Sequence, residues 1–215
     1  MAALVPCLDV EQQLWAAGIV RVAGVDEVGR GCLSGPVVAA AVILPVGCAM
    51  LPGVRDSKTL SATQRARLYH AIRAQALAVA VSAAPVSEID TVNILRATHF
   101  AMLRALALVA PYDHALIDGS PVKTVDLGPH TALVDGDATC YAIACASIIA
   151  KVVRDRLMRR LALRYPGYGW ERNAGYGTAE HLDALRRLGV TPHHRRSFAP
   201  VRAILDGLPV QATLL

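Results

Sequence analysis

Residues 19–31 read IVRVAGVDEVGRG, in which a strand pattern, two adjacent carboxylates and a glycine-rich loop follow one another directly. The first seven residues are mostly apolar and β-branched, which predicts a β-strand. Residues 37–44, VVAAAVIL, form a second apolar run of strand length, typical of a strand buried on both faces. Two neighbouring charges, Asp26 and Glu27, at the end of a buried strand need compensation, so we expect a functional site there.

The rest of the chain alternates between helical and extended patterns. Short strands are predicted at residues 77–82, 115–117 and 131–134, and helices at residues 61–74, 93–109, 142–163 and 178–188. Ser61 and Thr178 are the expected N-caps of two of these helices. Residues 165–177, rich in glycine and aromatic residues, are predicted to form a loop. The pattern predicts an α/β fold with a helical C-terminal addition.

Composition excludes several classes of protein. With 54% hydrophobic and 18% charged residues in 215, the chain is neither disordered nor dependent on disulfides. Its longest apolar run has eight residues, far short of the ~20 that a bilayer span needs. No secretory signal is recognisable in residues 1–12. The five cysteines lack a C-x-x-C spacing, so we expect reduced thiols in a cytoplasmic protein with no membrane partner.

Charge is concentrated near the C-terminus. Residues 151–196 hold 11 Lys and Arg against 4 Asp and Glu, whereas the remaining residues hold 11 against 13. A basic quarter beside an acidic body suits a protein that holds a polyanion and keeps its carboxylates for a metal. A solvated amphipathic helix without a partner explains the charge equally well. Arg159 and Arg160 in particular are expected on a solvated helix face.

Two further aspartates follow predicted strands. Asp118 and Asp137 each adjoin a glycine, and ligand sites of α/β sheets lie at strand ends. Carboxylate oxygens suit Mg²⁺ or Mn²⁺, and two such ions can activate a water and stabilise the leaving oxygen of a phosphodiester. A single Asp-Gly pair is more often a simple turn. The adjacent pair Asp26 and Glu27 is harder to explain in that way.

A series of ordered motifs resembles the ribonuclease HII family, the prokaryotic type 2 ribonucleases H. It begins with GVDEVGRG at residues 24–31 and LSGPV at 33–37. It continues with DSKTLS at 56–61, ID at 89–90, NIL at 93–95, DG at 118–119, GD at 136–137, ASIIAKV at 146–152, RDR at 154–156, GYGT at 175–178 and HRRSF at 194–198. The resemblance spans most of the chain, and such a series is far more specific than one glycine-rich loop.

The resemblance implies an RNase H-like fold with a mixed five-stranded sheet, flanking helices and a C-terminal helical extension. Its implied divisions are an N-terminal extension (1–18), a catalytic domain (19–163) and a C-terminal extension (164–215). It implies a metal-dependent endonuclease that hydrolyses RNA in RNA–DNA hybrids and at single ribonucleotides embedded in duplex DNA. The cut lies 5′ of the ribonucleotide and leaves 3′-hydroxyl and 5′-phosphate ends, with Mg²⁺ or Mn²⁺ in a two-metal site.

The family's functional residues carry over to matching positions. The catalytic and metal-binding carboxylates correspond to Asp26, Glu27, Asp118 and Asp137. The loop that contacts the ribose 2′-hydroxyl corresponds to Gly29, Arg30 and Gly31, and the tyrosine that senses the junction corresponds to Tyr176. The family's G-Y-P-T is G-Y-G-T here, with Gly177 in place of proline, so the tyrosine loop is expected to be more mobile.

Basic side chains near these motifs are candidates for phosphate contacts, which position a duplex without reading its sequence. These candidates are Lys58, Lys151, Arg154 and Arg156. Asp155, four residues after Lys151, is interpreted as its structural ion-pair partner. A two-metal site needs no histidine base. We expect a monomer, and residues 209–215 show no sliding-clamp peptide.

Three alternatives stay open at this level. The first is a non-catalytic module that binds hybrids or duplexes through the basic face. The second is the sister enzyme ribonuclease HIII, but only 18 residues precede the first predicted strand, too few for its extra substrate-binding domain. The third is a DNA-only nuclease of the same fold, which the glycine loop and Tyr176 disfavour.

Overall fold

A five-stranded mixed sheet forms the centre of the computed structural model, which describes residues 5–208. The strands are β1 (Val22–Val28), β2 (Val37–Ile43), β3 (Ala78–Ala84), β4 (His114–Asp118) and β5 (His130–Leu133). Their order is β3-β2-β1-β4-β5. β1 pairs antiparallel with β2 and parallel with β4, while β2–β3 is antiparallel and β4–β5 parallel. The predicted α/β fold class is confirmed.

Helices cover both faces of the sheet and form the C-terminal part. They are α1 (Asp9–Ala16), α2 (Ala62–Gln75), α3 (Val86–Val92), α4 (Ile94–Val109), α5 (Gly136–Thr139), α6 (Tyr141–Arg164), α7 (Trp170–Asn173), α8 (Ala179–Leu188) and α9 (Ala199–Leu205). Ser61 caps α2 in a reciprocal capping box with Gln64, and Thr178 caps α8, both as predicted. Patterning did not predict α1, α3, α5, α7 or α9.

β1 extends three residues beyond its predicted end and includes both carboxylates. Asp26 pairs with Ala40 and Glu27 with Ala39 of β2. Successive side chains of a strand point to opposite faces, so the two carboxylates leave the sheet on different sides. Asp26 faces the layer of α6, and Glu27 faces the layer of α4.

α6 lies unusually close to β1 because position 24 is glycine. A Cβ at Gly24 would lie 2.2 Å from the carbonyl carbon of Ala142. Consequently every residue of α6 from Tyr141 to Ala150 is buried. In this half, neighbouring elements enclose all sides of the helix.

The second half of α6 leaves the sheet and enters a separate core. Met158 and Ala162 pack there against Tyr168, Trp170 and residues of α8 and α9. α6 thus contributes to the cores of both predicted divisions. The boundary at residue 163 stays a prediction.

Helix α1, within the predicted N-terminal extension, packs as part of the fold. The buried carboxylate of Glu11 in α1 accepts a hydrogen bond from the backbone N–H of Ala142 at 2.7 Å. It therefore caps α6 from outside that helix, where the N-cap residue Cys140 has no capping side chain. All five cysteines are free thiols, as expected. Within residues 5–208, no helix is long and apolar enough to cross a membrane.

Candidate active site

Four carboxylates gather where β1 and β4 end side by side. Asp118 is the last residue of β4, and its Oδ1 accepts hydrogen bonds from the backbone N–H groups of Gly136 at 2.7 Å and Asp137 at 3.3 Å. These bonds fix the first turn of α5 onto the end of β4. The sheet and this short helix therefore bring Asp137 to Asp118 and the β1 pair.

Burial and mutual repulsion raise the pKa values of three of these carboxyl groups. The pKa of Asp26 is well above its ordinary value because the group is buried and because Glu27 and Asp118 carry like charges. Burial also raises the pKa of Glu27, against the opposing charge of Arg30. The pKa of Asp118 is raised by burial and by Asp137, against the two N–H donors. The negative charge of this edge is only partly compensated by the protein.

Such a group of oxygen donors fits a hard divalent cation. Among residues 5–208, no three His, Cys, Asp or Glu side chains converge tightly enough to form a complete metal cage. Mg²⁺ does not need one, because it keeps several waters and binds through one or two carboxylates together with substrate phosphates. The repulsion that raises the pKa values of Asp26 and Asp118 is what a bound cation would remove.

Two flexible cations border the carboxylates. Arg30 Nη1 lies 3.3 Å from Glu27 Oε1, and Lys58 Nζ lies 3.2 Å from Asp137 Oδ2. Their side chains are 51% and 77% exposed, so both can turn toward a phosphate that enters the site. Lys58 extends from a 3₁₀ turn, Ser57–Thr59, that Asp56 caps through the Lys58 backbone N–H.

A buried arginine holds the glycine loop in place. Arg195 is fully buried, and each of its three guanidinium nitrogens donates to a backbone carbonyl, those of Gly29 at 2.6 Å, Arg30 at 2.7 Å and Gly35 at 3.0 Å. Desolvation lowers the pKa of Arg195 to about 10, so it stays protonated at neutral pH. The loop conformation therefore depends on a residue more than 160 positions away.

A second buried arginine connects the same loop to the tyrosine loop. Arg154 donates to the carbonyls of Pro36 at 2.9 Å, Ser34 at 3.0 Å and Ala174 at 2.7 Å. Its side chain is fully buried. The expectation that Arg154 contacts phosphate was wrong, because all three nitrogens already serve the backbone and no part of the side chain reaches solvent.

The two glycines of the loop have different roles in the structure. Gly29 has φ +95°, and a Cβ there would lie 2.1 Å from Nε of Arg154. Glycine at this position lets the buried arginine pack against the loop. Gly31 has open space where a Cβ would stand. That open side is available to an incoming sugar.

Tyr176 lies on the neighbouring loop and is 43% exposed. Two buried histidines fix its backbone. Thr191 N–H donates to His194 Nδ1 at 2.9 Å, so the proton of the neutral His194 ring is on Nε2 and points to His181 Nε2 at 3.1 Å. Trp170 Nε1 donates to the same acceptor at 3.0 Å, which leaves His181 Nδ1–H to donate to the Tyr176 carbonyl at 2.8 Å.

Lys151 lies further along α6 and has a structural partner. Its Nζ is 2.8 Å from Asp155 Oδ1, and its side chain is 17% exposed. Arg65 of α2 approaches the other oxygen of Asp155 at 3.5 Å. The predicted ion pair of Asp155 is confirmed, while a phosphate contact by Lys151 stays a prediction. Arg156 is exposed, and its guanidinium stacks over the Tyr69 ring at 4.7 Å.

A family model described as Ribonuclease HII matches residues 23–201, which include the four carboxylates, the glycine loop and Tyr176. The chain belongs to the ribonuclease HII family. The ribonuclease HII of Thermosynechococcus vestitus is 64% identical over 188 residues, which cover 87% of this chain and 88% of that relative. The family consists of divalent-metal-dependent type 2 ribonucleases H that act on RNA–DNA hybrids. The chain is thus an enzyme, and the non-catalytic alternative is set aside.

Solved structures share the fold. Ribonuclease H2 from Pyrococcus horikoshii OT3 gives a TM-score of 0.73 at 25% identity, covering 87% of this chain and 98% of that one. The structure of the PCNA:RNase HII complex from Archaeoglobus fulgidus gives 0.66 at 25% identity, covering 81% and 92%. The predicted RNase H-like ribonuclease HII fold is confirmed. Residues 209–215, where no clamp peptide was recognised, lie outside the described part of the chain.

Sequence reasoning did not predict the residues that hold the site in place. Arg195 and His194 lie in the HRRSF motif, but no supporting role was predicted for them or for His181. Ser147 of α6 was also missed, although its hydroxyl hydrogen-bonds Asp26 and lies 2.9 Å from the Ser57 hydroxyl. No local signal marked these residues, because His181 stands in TAEHLDAL (178–185) and Arg195 in PHHRRS (192–197), polar stretches typical of exposed positions.

Proposed function

We propose that this ribonuclease HII cleaves at single ribonucleotides embedded in duplex DNA as well as within RNA–DNA hybrids. The cut would lie on the 5′ side of the ribonucleotide and leave 3′-hydroxyl and 5′-phosphate ends. The observation that carries this proposal is the proximity of the carboxylate edge to a rigidly held glycine loop. A loop hydrogen-bonded by buried Arg195 and packed against buried Arg154, with an open face at Gly31, can test one sugar for its 2′-hydroxyl without several neighbouring ribonucleotides.

Mg²⁺ or Mn²⁺ would be held by Asp26, Glu27, Asp118 and Asp137. Bound there, it would supply an activated water and stabilise the charge that develops on the phosphodiester. The fixed acceptors Asp26 and Asp118 present carboxylate oxygens that the protein leaves partly uncompensated. They are therefore the residues on which the chemistry depends most.

The surrounding residues would position the substrate. Arg30 and Lys58 can exchange their carboxylate partners for phosphate oxygens, because both side chains are largely exposed. Gly29, Arg30 and Gly31 would read the 2′-hydroxyl through backbone and side chain. Tyr176 would stack on the sugar or base next to the ribonucleotide, since its ring is exposed while His181 holds its backbone.

The test is cleavage of three end-labelled substrates: a DNA duplex with one ribonucleotide, the same duplex without it, and an RNA–DNA hybrid. We expect cutting of the first and third, only with Mg²⁺ or Mn²⁺ and not with EDTA. The labelled product should end one nucleotide before the ribonucleotide and should be extendable by a polymerase. Cleavage of the hybrid alone would overturn the single-ribonucleotide proposal.

Asp137→Asn and Asp135→Asn form a matched pair for this assay. Both aspartates belong to the same turn, but Asp137 is buried beside Asp118 while Asp135 is exposed. We expect Asp137→Asn to lose most activity and Asp135→Asn to keep it. Equal loss in both variants would contradict the assignment of Asp137.

A further inference from the structure

A groove lies between the start of α2, the second half of α6 and α7. It consists of two adjoining clefts of about 340 and 260 Å³ that share Ala62, Arg65, Asp155 and Arg159. Lys151, Arg156 and Arg172 also contribute to its walls. We refer to it as the α2–α6 groove. It is distinct from the cleft of about 400 Å³ beside Glu27 and Asp118.

The α2–α6 groove is strongly basic. Its walls carry five cationic side chains, those of Arg65, Lys151, Arg156, Arg159 and Arg172, and two acidic ones, those of Asp155 and Glu171. Asp155 is held by two of the cations, Lys151 and Arg65, so its charge is locally neutralised. The groove therefore presents a net positive charge to any ligand, which suits a polyanion.

Arg159 is the groove cation without an internal role. Its side chain is exposed, and its guanidinium has no ion-pair, hydrogen-bond or ring partner among residues 5–208. Arg172, by contrast, pairs with Glu171 and Glu180, and Arg156 stacks over Tyr69. A long, mobile cation at the lip of a basic groove loses no protein contact when it binds an anion.

The groove is linked to the carboxylate site through the Ser57–Thr59 turn and along α6. Arg65 Nη1 donates to the Ser57 carbonyl at 2.9 Å, and the next residue, Lys58, reaches Asp137. Ser147, which hydrogen-bonds Asp26, lies 12 residues before Arg159 on α6. A helix rises about 1.5 Å per residue, so the two lie roughly 18 Å apart, the length of about five base steps of a nucleic acid strand.

We propose that the α2–α6 groove binds the sugar-phosphate backbone of the duplex about five base pairs from the scissile phosphate, through Arg159. This inference rests on the proposed function, because it assumes that the scissile phosphate lies at the carboxylates. The groove offers charge without base-reading geometry, so it adds affinity that does not depend on sequence. It also makes binding depend on the length of the flanking duplex on one side.

Arg159→Glu and Arg160→Glu test the proposal. Arg160 is the adjacent exposed arginine of α6, about 100° around the helix, and it does not line the groove. Binding is measured in EDTA by fluorescence anisotropy, over a range of salt concentrations, with a duplex that carries one ribonucleotide. We expect Arg159→Glu to weaken binding about tenfold and to reduce the salt slope by about one, with a change under about twofold for Arg160→Glu.

Trimming the flanks locates the contact. With either flank shortened to below about five base pairs in turn, one of the two trimmed duplexes should bind wild type and Arg159→Glu equally. Arg159→Ala, which adds no negative charge beside Asp155, should show the same reduced slope with a smaller loss of affinity. Equal effects of Arg159→Glu and Arg160→Glu, or a difference that survives trimming of both flanks, would overturn the proposal. Equal effects of the two variants are the result expected if the groove served an acidic protein partner instead.

These binding data are independent of cleavage. If wild type does not cut the ribonucleotide-containing duplex but Arg159→Glu still loses flank-dependent binding, the groove is supported and the proposed cut site fails. If wild type cuts and both variants bind alike, the proposed function stands and the groove assignment fails. Thermal midpoints close to that of wild type would establish that the variants are folded.

Discussion

The carboxylate edge and the two buried arginines are regions of similar burial that treat charge in opposite ways. Arg154 and Arg195 lie wholly inside the protein, and each directs three nitrogens at three backbone carbonyls. At the carboxylate edge, Asp26 is also buried, but its burial and its like-charged neighbours Glu27 and Asp118 raise its pKa. The hydrogen-bonded charges of the two arginines stabilise the fold, whereas the uncompensated charges of the carboxylates are available to bind a ligand.

The largest effect should come from removing one negative charge at the edge. Asp118→Asn keeps an oxygen to accept the N–H groups of Gly136 and Asp137 but loses the charge that would bind metal. We expect cleavage to fall at least ~10³-fold, about 4 kcal/mol in the barrier. Single-turnover cleavage of an RNA–DNA hybrid measures it. Activity within tenfold of wild type would remove Asp118 from the site.

Removing one buried arginine should affect stability most. Arg195→Met keeps much of the side-chain volume but leaves three carbonyls without donors, so we expect a loss of about 3–5 kcal/mol in the free energy of unfolding. Arg196→Met, at the adjacent exposed position, should change it by less than about 0.5 kcal/mol. Urea denaturation compares the two. Similar values for both would show that the bonds of Arg195 contribute little.

Removing His181, which hydrogen-bonds the backbone of Tyr176, should lower stability less than removing Arg195. His181→Ala leaves the Tyr176 carbonyl, Trp170 Nε1 and His194 Nε2 without their partner, which should cost about 1–3 kcal/mol. Because the Tyr176 loop loses its anchor, KM for a single-ribonucleotide duplex should rise more than kcat falls. His70→Ala, at an exposed position of α2, is the control. An unchanged KM would show that the hydrogen bonds of His181 do not determine how Tyr176 contacts the substrate.

Several elements were predictable because their determinants are local. The capping box of Ser61 and Gln64, the cap of Thr178 and the apolar run of β2 all lie within a few residues of the element that they define. The four carboxylates were assigned from their motifs together with their places at strand ends. β4 lies parallel beside β1, so its last residue, Asp118, necessarily lies near the β1 pair.

Long-range contacts were not predictable from patterns. Nothing near Arg154 shows that its partners are the carbonyls of residues 34 and 36, so it was expected at the surface. Glu11 is a similar case, since its partner, the N–H of Ala142, lies 131 residues along the chain. A buried charge is hydrogen-bonded by groups that the tertiary fold brings to it. The periodicity of the sequence does not predict which groups these are.

The smallest expected effect is the pH dependence of stability without metal. The pKa values of Asp26, Glu27 and Asp118 are raised on folding, so their contribution to stability is complete below the unfolded pKa of about 4 and is lost as the pH rises through the folded values. Burial lowers the pKa of His181 and His194, which opposes this trend on acidification. Wild type and Asp118→Asn contain the same histidines, so the histidine contribution cancels when their free energies of unfolding are subtracted.

The free energy of unfolding of Asp118→Asn, minus that of wild type, should increase with pH. Asp118→Asn should gain stability relative to wild type as the pH rises from about 4 to neutrality, because only wild type acquires the charge of Asp118. Urea denaturation of both proteins in EDTA at a series of pH values measures it. A difference that is constant with pH would mean that the carboxylates do not repel one another appreciably.

The most direct test of the carboxylate edge is the thermal midpoint of wild type and Asp118→Asn at neutral pH, each with EDTA and with Mn²⁺. If the edge holds uncompensated charge for a cation, Asp118→Asn is the more stable protein in EDTA, and Mn²⁺ stabilises wild type by clearly more than the variant. A variant that is less stable in EDTA and gains as much from Mn²⁺ as wild type would contradict the account.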